Sequence, residues 1–367
     1  MDENLLYKIA LSIIPGIGGI LARNIVAHVG SVEGVFTESL KSLQKIPGIG
    51  EINAQRIKDK EIFTRAEKEI RFIEKNEIDV VFYTDKDFPR RLKTCVDAPV
   101  LLYTKGNLDL NEHRVVSIVG TRNATNYGKQ VCDELIHEFS ARNYKVLIVS
   151  GLAYGIDIQA HKSALKYNLP TAGVIAHGLD KIYPSLHTET AKKMQENGGL
   201  VSDFPSGTKI DPSNFIRRNR IIAGLADATI VVESASKGGA LITAEIASSY
   251  NRDVFAFPGR AGDVYSKGCN QLIRNSGANL IEGIDDLEFF MGWEKSSKNK
   301  VVQSSLFVEL TPEEEKIVKL LRENEELFID QISSELTLPV SRVSALLLNM
   351  EFKNILVALP GKMYRLI

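Results

Sequence analysis

The sequence predicts a doubly wound, mostly parallel α/β sheet with a small helical domain before it and a second small domain after it. Three observations predict this. From about residue 79 to 292, β-branched runs alternate with amphipathic stretches, the pattern of successive βαβ units. Most of those runs end in a glycine-rich turn. Both flanks lack such runs: residues 1–76 read as short helices broken by Pro-Gly, and from Thr311 three helical stretches precede a short strand pair. The predicted organisation is a helical domain at 1–76, a sheet domain at 77–293, a linker at 294–310 that includes the polar run Lys295-Ser296-Ser297-Lys298-Asn299-Lys300, and a C-terminal domain at 311–367.

Strands are legible at 79–83, 115–119, 146–149, 171–176, 228–232 and 254–257, with weaker ones near 200–202 and 279–281; helical crossovers fall at about 127–141, 156–167, 187–197, 239–249 and 268–275. The near-continuous apolar character of the strands requires a sheet covered on both faces, hence a Rossmann-like arrangement. Gly120-Thr121-Arg122 follows one strand and Ser150-Gly151-Leu152-Ala153-Tyr154-Gly155 the next. His177-Gly178-Leu179-Asp180, Lys237-Gly238-Gly239 and Pro258-Gly259-Arg260 follow three others. In a parallel sheet these turns gather on one edge, where helix N-termini also converge and anions are favoured. Beside them lies Asn214-Phe215-Ile216-Arg217-Arg218-Asn219-Arg220. With Lys209 and against Asp211, that stretch carries +3 in a chain whose total is −1. Arginines next to an aromatic ring suit single-stranded nucleic acid, with cations for phosphates and a ring for bases.

The N-terminal domain contains a repeat. Ile14-Pro15-Gly16-Ile17-Gly18 recurs as Ile46-Pro47-Gly48-Ile49-Gly50, with Ala22 and Ile25 echoed by Ala54 and Ile57. Each unit resembles a helix-hairpin-helix motif, and the pair a SAM-like domain. Such hairpins hold DNA phosphates at a helix N-terminus, or serve as packing modules. Residues 1–70 carry 9 basic and 9 acidic side chains, which leaves both roles open. The C-terminal stretches at 312–323, 328–336 and 339–352, then 355–358, Pro360-Gly361 and 363–366, read as a winged helix. Its 7 basic residues face 9 acidic ones, so a protein-interaction or accessory role is favoured over groove binding.

Composition bounds the function. With 44% apolar and 25% charged residues the chain is globular, and no apolar run reaches the ~18–20 residues of a membrane span. The acidic start, Met1-Asp2-Glu3-Asn4, predicts no secretory signal. Three scattered cysteines (Cys95, Cys132, Cys269) argue against a disulfide framework and fit a reducing cytoplasm. No metal-ligand spacing and no Gly-x-x-x-x-Gly-Lys-Ser/Thr loop occurs, so neither a metal nor a cofactor is expected. His161, His177 and His187 read as structural hydrogen-bonding residues, and Cys132 and Cys269 as core.

Val119-Gly120-Thr121-Arg122, Ser150 through Asp157 with Ala160-His161, Gly178-Leu179-Asp180 with Tyr183-Pro184, Asn214 through Gly224, and Gly268-Cys269-Asn270 together resemble the DNA-processing protein A (DprA, also called Smf) family. The resemblance is dense over residues 80–290 and extends to both flanks. It implies a non-enzymatic recombination mediator that binds single-stranded DNA, commonly as a homodimer, and loads the RecA recombinase onto it during natural transformation. Carried over by position, Arg122, Arg217, Arg218 and Arg220 become phosphate contacts. Ser150 and Gly151 become contacts at the strand edge, and Phe215 a stacking residue. Gly120, Thr121, Lys209, Asn214, Asn219, Lys237, Gly238, Gly239 and Arg260 complete the expected DNA-binding set. Ile216 departs from the proline that often follows Asn-Phe in the family. An alternative is a nucleotide-hydrolysing enzyme. Gly238-Gly239 with Thr243 and Glu245 partly resembles the Pro-Gly-Gly-x-Gly-Thr-x-x-Glu motif of phosphoribohydrolases, with the Thr one residue out of place and Lys237 where that motif has proline.

Overall fold

A computed structural model of the chain describes residues 3–293, 310–324, 326–353, 355–359 and 361–366. It separates into two compact units, residues 1–282 and 283–367. Apart from Leu310, the predicted linker lies outside the described residues.

In the first unit, six helices precede the sheet: α1 (Glu3–Ser12), α2 (Gly19–Val29), α3 (Val32–Thr37), α4 (Leu40–Leu43), α5 (Glu51–Ile57) and α6 (Glu61–Lys75). The two repeats are the turns α1–α2 and α4–α5. Gly16 and Gly48 occupy positive φ, at 80° and 85°, where a side chain would be strained. The repeated Ala22, Ile25, Ala54 and Ile57 are all buried. That core does not stop at the helices. It continues into Phe82, Leu101 and Tyr103 of the sheet, so the helical layer is built onto the sheet's edge strands.

The sheet has nine strands: β1 (Asp79–Phe82), β2 (Leu101–Lys105), β3 (Arg114–Val119), β4 (Val146–Ser150), β5 (Thr171–Val174), β6 (Gly198–Ser202), β7 (Ala228–Val231), β8 (Asp253–Ala256) and β9 (Asn279–Leu280). Their spatial order is β1-β2-β6-β5-β4-β3-β7-β8-β9. From β6 to β9 every pairing is parallel; β1–β2 and β2–β6 are antiparallel. β2 was not among the predicted strands. It is an apolar segment, Leu101-Leu102-Tyr103, that follows Pro99 closely and has no crossover helix to announce it, because it returns antiparallel.

The connecting helices are α7 (Arg90–Lys93), α8 (Asn126–Ala141), α9 (Ile156–Lys166), α10 (Thr188–Met194), α11 (Pro212–Leu225), α12 (Gly239–Ser249) and α13 (Lys267–Arg274). Alternate strand residues serve the two faces. Val115, Val119, Leu147 and Val149 pack with Ile221, Ile222, Leu225, Ala240 and Ala244, whereas Val116, Ile118 and Ile148 are buried on the opposite side. The chain builds outward from β3 to β6, then returns to place β7 on the other side of β3. The strand order therefore reverses between β3 and β7, and the loops leaving these two strands part to form a crevice at their carboxyl ends.

The second unit opens with α14 (Ile284–Met291). It continues with α15 (Pro312–Asn324), α16 (Ile329–Leu336) and α17 (Val340–Phe352), and a three-stranded sheet of β10 (Glu326–Phe328), β11 (Leu356–Leu359) and β12 (Met363–Leu366) in the order β10-β12-β11. Three helices and an antiparallel wing form a winged helix around Ile317, Leu321, Ile332, Val343, Leu347 and Met350.

Candidate nucleic-acid interface

A cleft of about 560 Å³ occupies the crevice at the strand-order reversal. One wall is the turn after β3, Gly120-Thr121-Arg122. The opposite wall is the turn after β7 and the start of α12, including Gly238 and Gly239. The first half of α11 closes the third side with Phe215 and Asn219.

Local chemistry fixes each wall. Glu233, a buried carboxylate after β7, accepts from the Thr125 amide at 2.9 Å and hydroxyl at 2.5 Å, while its carbonyl accepts from the Thr121 amide at 2.8 Å. The two turns are thereby tied together. Thr125 in turn caps α8 through the Gly128 amide. At Gly155 φ is +80°, and a Cβ would lie 2.1 Å from the Thr121 carbonyl oxygen; only glycine lets α9 begin this close to the β3 turn. On the third side Asp211 caps α11, with Pro212 at its first turn. The α12 helix has no side-chain cap at its N-terminus, so its first amides remain available to an anion, whereas the first turn of α9 is closed by bonds from the Ile156 and Ile158 amides to the Thr121 and Ala153 carbonyls.

Arg122 is exposed, and its guanidinium stands 5.5 Å from the Phe215 ring centre. Phe215 is half-buried and lies 6.0 Å from the Tyr183 ring. A cation and two rings therefore line one side of the cleft in sequence. Tyr183 was not in the expected site set, although the Tyr183-Pro184 step was part of the recognised pattern. At 44% exposed, it is too accessible to be a core aromatic. Lys209, Lys237 and Arg260 are exposed, but none of them lines the cleft. Asn214 is half-buried, and its side-chain amide donates to the Lys209 carbonyl at 3.2 Å.

Four of the expected contact residues are engaged largely within the protein. Arg218 is 5% exposed and turns inward, donating to the Val174 carbonyl beneath the rim, with Asp157 as its electrostatic partner. Burial lowers its pKa to about 10, so it stays charged at neutral pH; burial likewise pushes the Asp157 carboxyl up, against the pull of Arg218. Arg218 shares the inward stripe of Ile221, Ile222 and Leu225, at spacings of three, four and seven. Ser150 is fully buried and donates to the Ile118 carbonyl at 2.6 Å. Gly151 is buried over the Asp157–Arg218 pair, where a Cβ would clash with both. Arg220 is spent on Asp203 at 2.5 Å and on the Asp97 carbonyl. Ser150 and Gly151 support the rim from beneath, while Arg218 still lines the cleft and Arg220 the far flank of α11.

Arg217 is exposed but lies on the other flank of α11. Its guanidinium sits 4.9 Å from the Phe204 ring and 3.5 Å from Asp203. The arginine cluster is thus divided by Ile216, which borders both flanks.

The histidines are structural. His161 is fully buried, bonds Thr171 Oγ1 at 2.7 Å, and has its pKa lowered by burial to about 3. His177 and His187 bond the Gly178 and Leu152 carbonyls. All three cysteines are buried and unpaired. Among the described residues no group of acidic, His or Cys side chains could hold a metal, and no helix is long and apolar enough to cross a membrane. Glu245, the carboxylate required by the hydrolase alternative, is exposed on α12 and does not line the cleft.

Fold and crevice together define a Rossmann-like binding protein with a helix-hairpin-helix layer on its edge strands and a separate winged helix. The chain belongs to the family described as DNA recombination-mediator protein A, which matches residues 79–291. A SAM-like helix-hairpin-helix tandem matches residues 9–60 and the DprA winged helix domain residues 308–362. Protein Smf of Synechocystis is 31% identical, covering 98% of both chains. The DNA processing protein DprA of Bacillus subtilis is 41% identical over 57% of this chain and 70% of its own length. Among solved structures, DprA of Streptococcus pneumoniae superposes with a TM-score of 0.63 at 31% identity, covering 78% of this chain and 97% of that one. DprA of Helicobacter pylori, whose structure is described as revealing a single-stranded DNA binding mode, gives 0.52 at 28% identity, over 58% of this chain and 95% of that one.

Proposed function

We propose that the crevice holds single-stranded DNA and that the protein presents this strand to a RecA-type recombinase in the cytoplasm, acting as a homodimer. The observation that carries the reading is the alignment of Arg122, Phe215 and Tyr183 along one wall, opposite the uncapped start of α12. Arg122 forms no ion pair among the described residues, and the buried Asp157 it helps to hold down is already offset by Arg218, so the exposed guanidinium is available to a phosphate. The rings give sequence-independent stacking, worth about 1–3 kcal/mol per base. Gly120, Thr121, Asn219, Gly238 and Gly239 shape the backbone surface between them. Exposed Lys209, Lys237 and Arg260 add long-range attraction outside the cleft. Binding without sequence preference is what a mediator needs, because it must accept any incoming strand.

The test compares single-stranded and duplex oligonucleotides of the same sequence across salt concentrations. Tighter single-strand binding that weakens with salt, and is lost in Arg122→Glu, supports the reading; duplex preference contradicts it. Recombinase loading is tested separately, as RecA filament growth on strand already covered by single-stranded DNA-binding protein, with and without this chain. The oligomer is tested by solution mass.

A further inference from the structure

A second cleft, of about 790 Å³, lies on the opposite flank of α11 from the crevice. Its walls come from the first hairpin, residues 14–19, and from Phe204, Ile216 and Arg217. The side chain of Arg217 is 55% exposed, and its guanidinium lies over the nearly buried Phe204 ring, which leaves the other guanidinium face open. Asp203 lines the same cleft. Its side chain is only 2% exposed; Oδ2 takes Arg220 and Arg217, while Oδ1 has no donor. Asp97 also lines the cleft, but Tyr250 donates to its carboxylate.

The two hairpins are alike in sequence and differ at this point. The α2 helix has 11 residues, starts after Gly18 with no side-chain cap, and has no acid in its first turn. The α5 helix has seven residues and opens with Glu51, whose carboxylate accepts from the Gln55 side chain and puts negative charge in the first turn, where it opposes an anion. Only the first hairpin contributes to the cleft beside Arg217.

We infer that this second cleft takes one further nucleotide unit of the strand held in the crevice, which reaches it across Ile216. The phosphodiester meets the α2 amides, and the base stacks on the open face of the Arg217 guanidinium. Ile216 borders both clefts, so the path needs no gap to be bridged. The inference rests on the crevice being the single-strand site. It divides labour between the repeats: the first hairpin touches DNA, while the second packs.

The test uses the full chain, oligothymidylates of increasing length, and the variants Gly18→Asp and Arg122→Glu. At Gly18 a Cβ meets nothing within 4 Å, and Asp is a preferred helix cap; Gly18→Asp therefore folds with an unchanged or raised melting temperature while placing a carboxylate where the phosphate belongs. The expected result is about five- to tenfold weaker binding of long oligonucleotides, with short ones that fill only the crevice unaffected. Arg122→Glu weakens both. Unchanged affinity of Gly18→Asp at every length overturns the second cleft, as does an equal loss at all lengths. If Arg122→Glu alone has no effect, the crevice reading fails instead, and the inference falls with it. Photo-crosslinking from 4-thiothymidine supplies a second readout: adducts on residues 13–20 support the path, and their absence when adducts form at Phe215 overturns it.

Discussion

The crevice and the third helix of the winged helix spend their cations differently. At the third helix of the winged helix, Arg342 is held by Glu313 at 2.6 Å and Lys353, just beyond its end, by Glu314 at 2.9 Å, while the exposed cations Lys316, Lys319 and Arg322 lie on α15 instead. On α17, Val340, Leu348 and Phe352 are exposed. In the crevice, Arg122 lies over a ring and makes no ion pair, the buried Asp157 nearby being offset mainly by Arg218. A cation already neutralised by its own domain releases no counterions from DNA. Fold alone therefore does not make a DNA surface; what matters is which cations the fold leaves unspent.

The largest expected effect tests the crevice's foundation. Arg218→Ala leaves Asp157 buried without its partner and should cost about 3–5 kcal/mol of stability, read by denaturant unfolding. A loss below about 1 kcal/mol would show that the rim does not depend on this pair. Next in size, Phe215→Ala removes a stacking ring and should weaken single-strand binding by about 1–3 kcal/mol, with Tyr183→Ala at the lower end of that range. Both are read by anisotropy titration. If only Tyr183→Ala matters, the order of the wall is wrong.

Acid should separate the two units. His161 is neutral in the folded first unit, with its pKa at about 3 against an ordinary 6.5. The unfolded chain thus binds the extra proton between those values, and stability conferred at neutral pH is lost as pH falls from about 6.5 towards 3. His161→Asn should flatten that loss. In the second unit, burial works to raise the Glu314 carboxyl, but hydrogen bonds from Lys353 and Thr311 outweigh it and hold the pKa below its usual 4.5. Its contribution is present above that value and is lost only as pH falls below it. Unfolding followed by hydrogen exchange should show the first unit loosening at the higher pH; the reverse order breaks the comparison. The smallest effect belongs to Arg342→Ala, which should change single-strand affinity by less than about twofold.

Much of this was legible in the sequence. Near-continuous apolar strands marked the sheet, glycine turns its cleft-bearing carboxyl edge, and the Ile-Pro-Gly-Ile-Gly repeat the hairpins. The β2 strand was not legible, because an antiparallel edge strand has no crossover helix to mark it. The arginine cluster was legible as charge but not as direction. Helical spacing relative to Ile221, Ile222 and Leu225 turns Arg218 inward, and it is Asp203, a residue distant from Arg122, that draws Arg217 and Arg220 to the other flank. Tyr183 depends on a contact with Phe215 across a long stretch of chain, which no local pattern encodes.

The most direct measurement of the central claim is a salt titration of single-strand affinity for the full chain and for the double variant Arg122→Ala/Phe215→Ala, both verified as folded. The crevice account predicts affinity at least about a hundredfold weaker in the variant, and a log–log salt slope shallower by about 0.7, the share of one lost phosphate contact. Equal affinities and equal slopes would place the strand somewhere other than between β3 and β7.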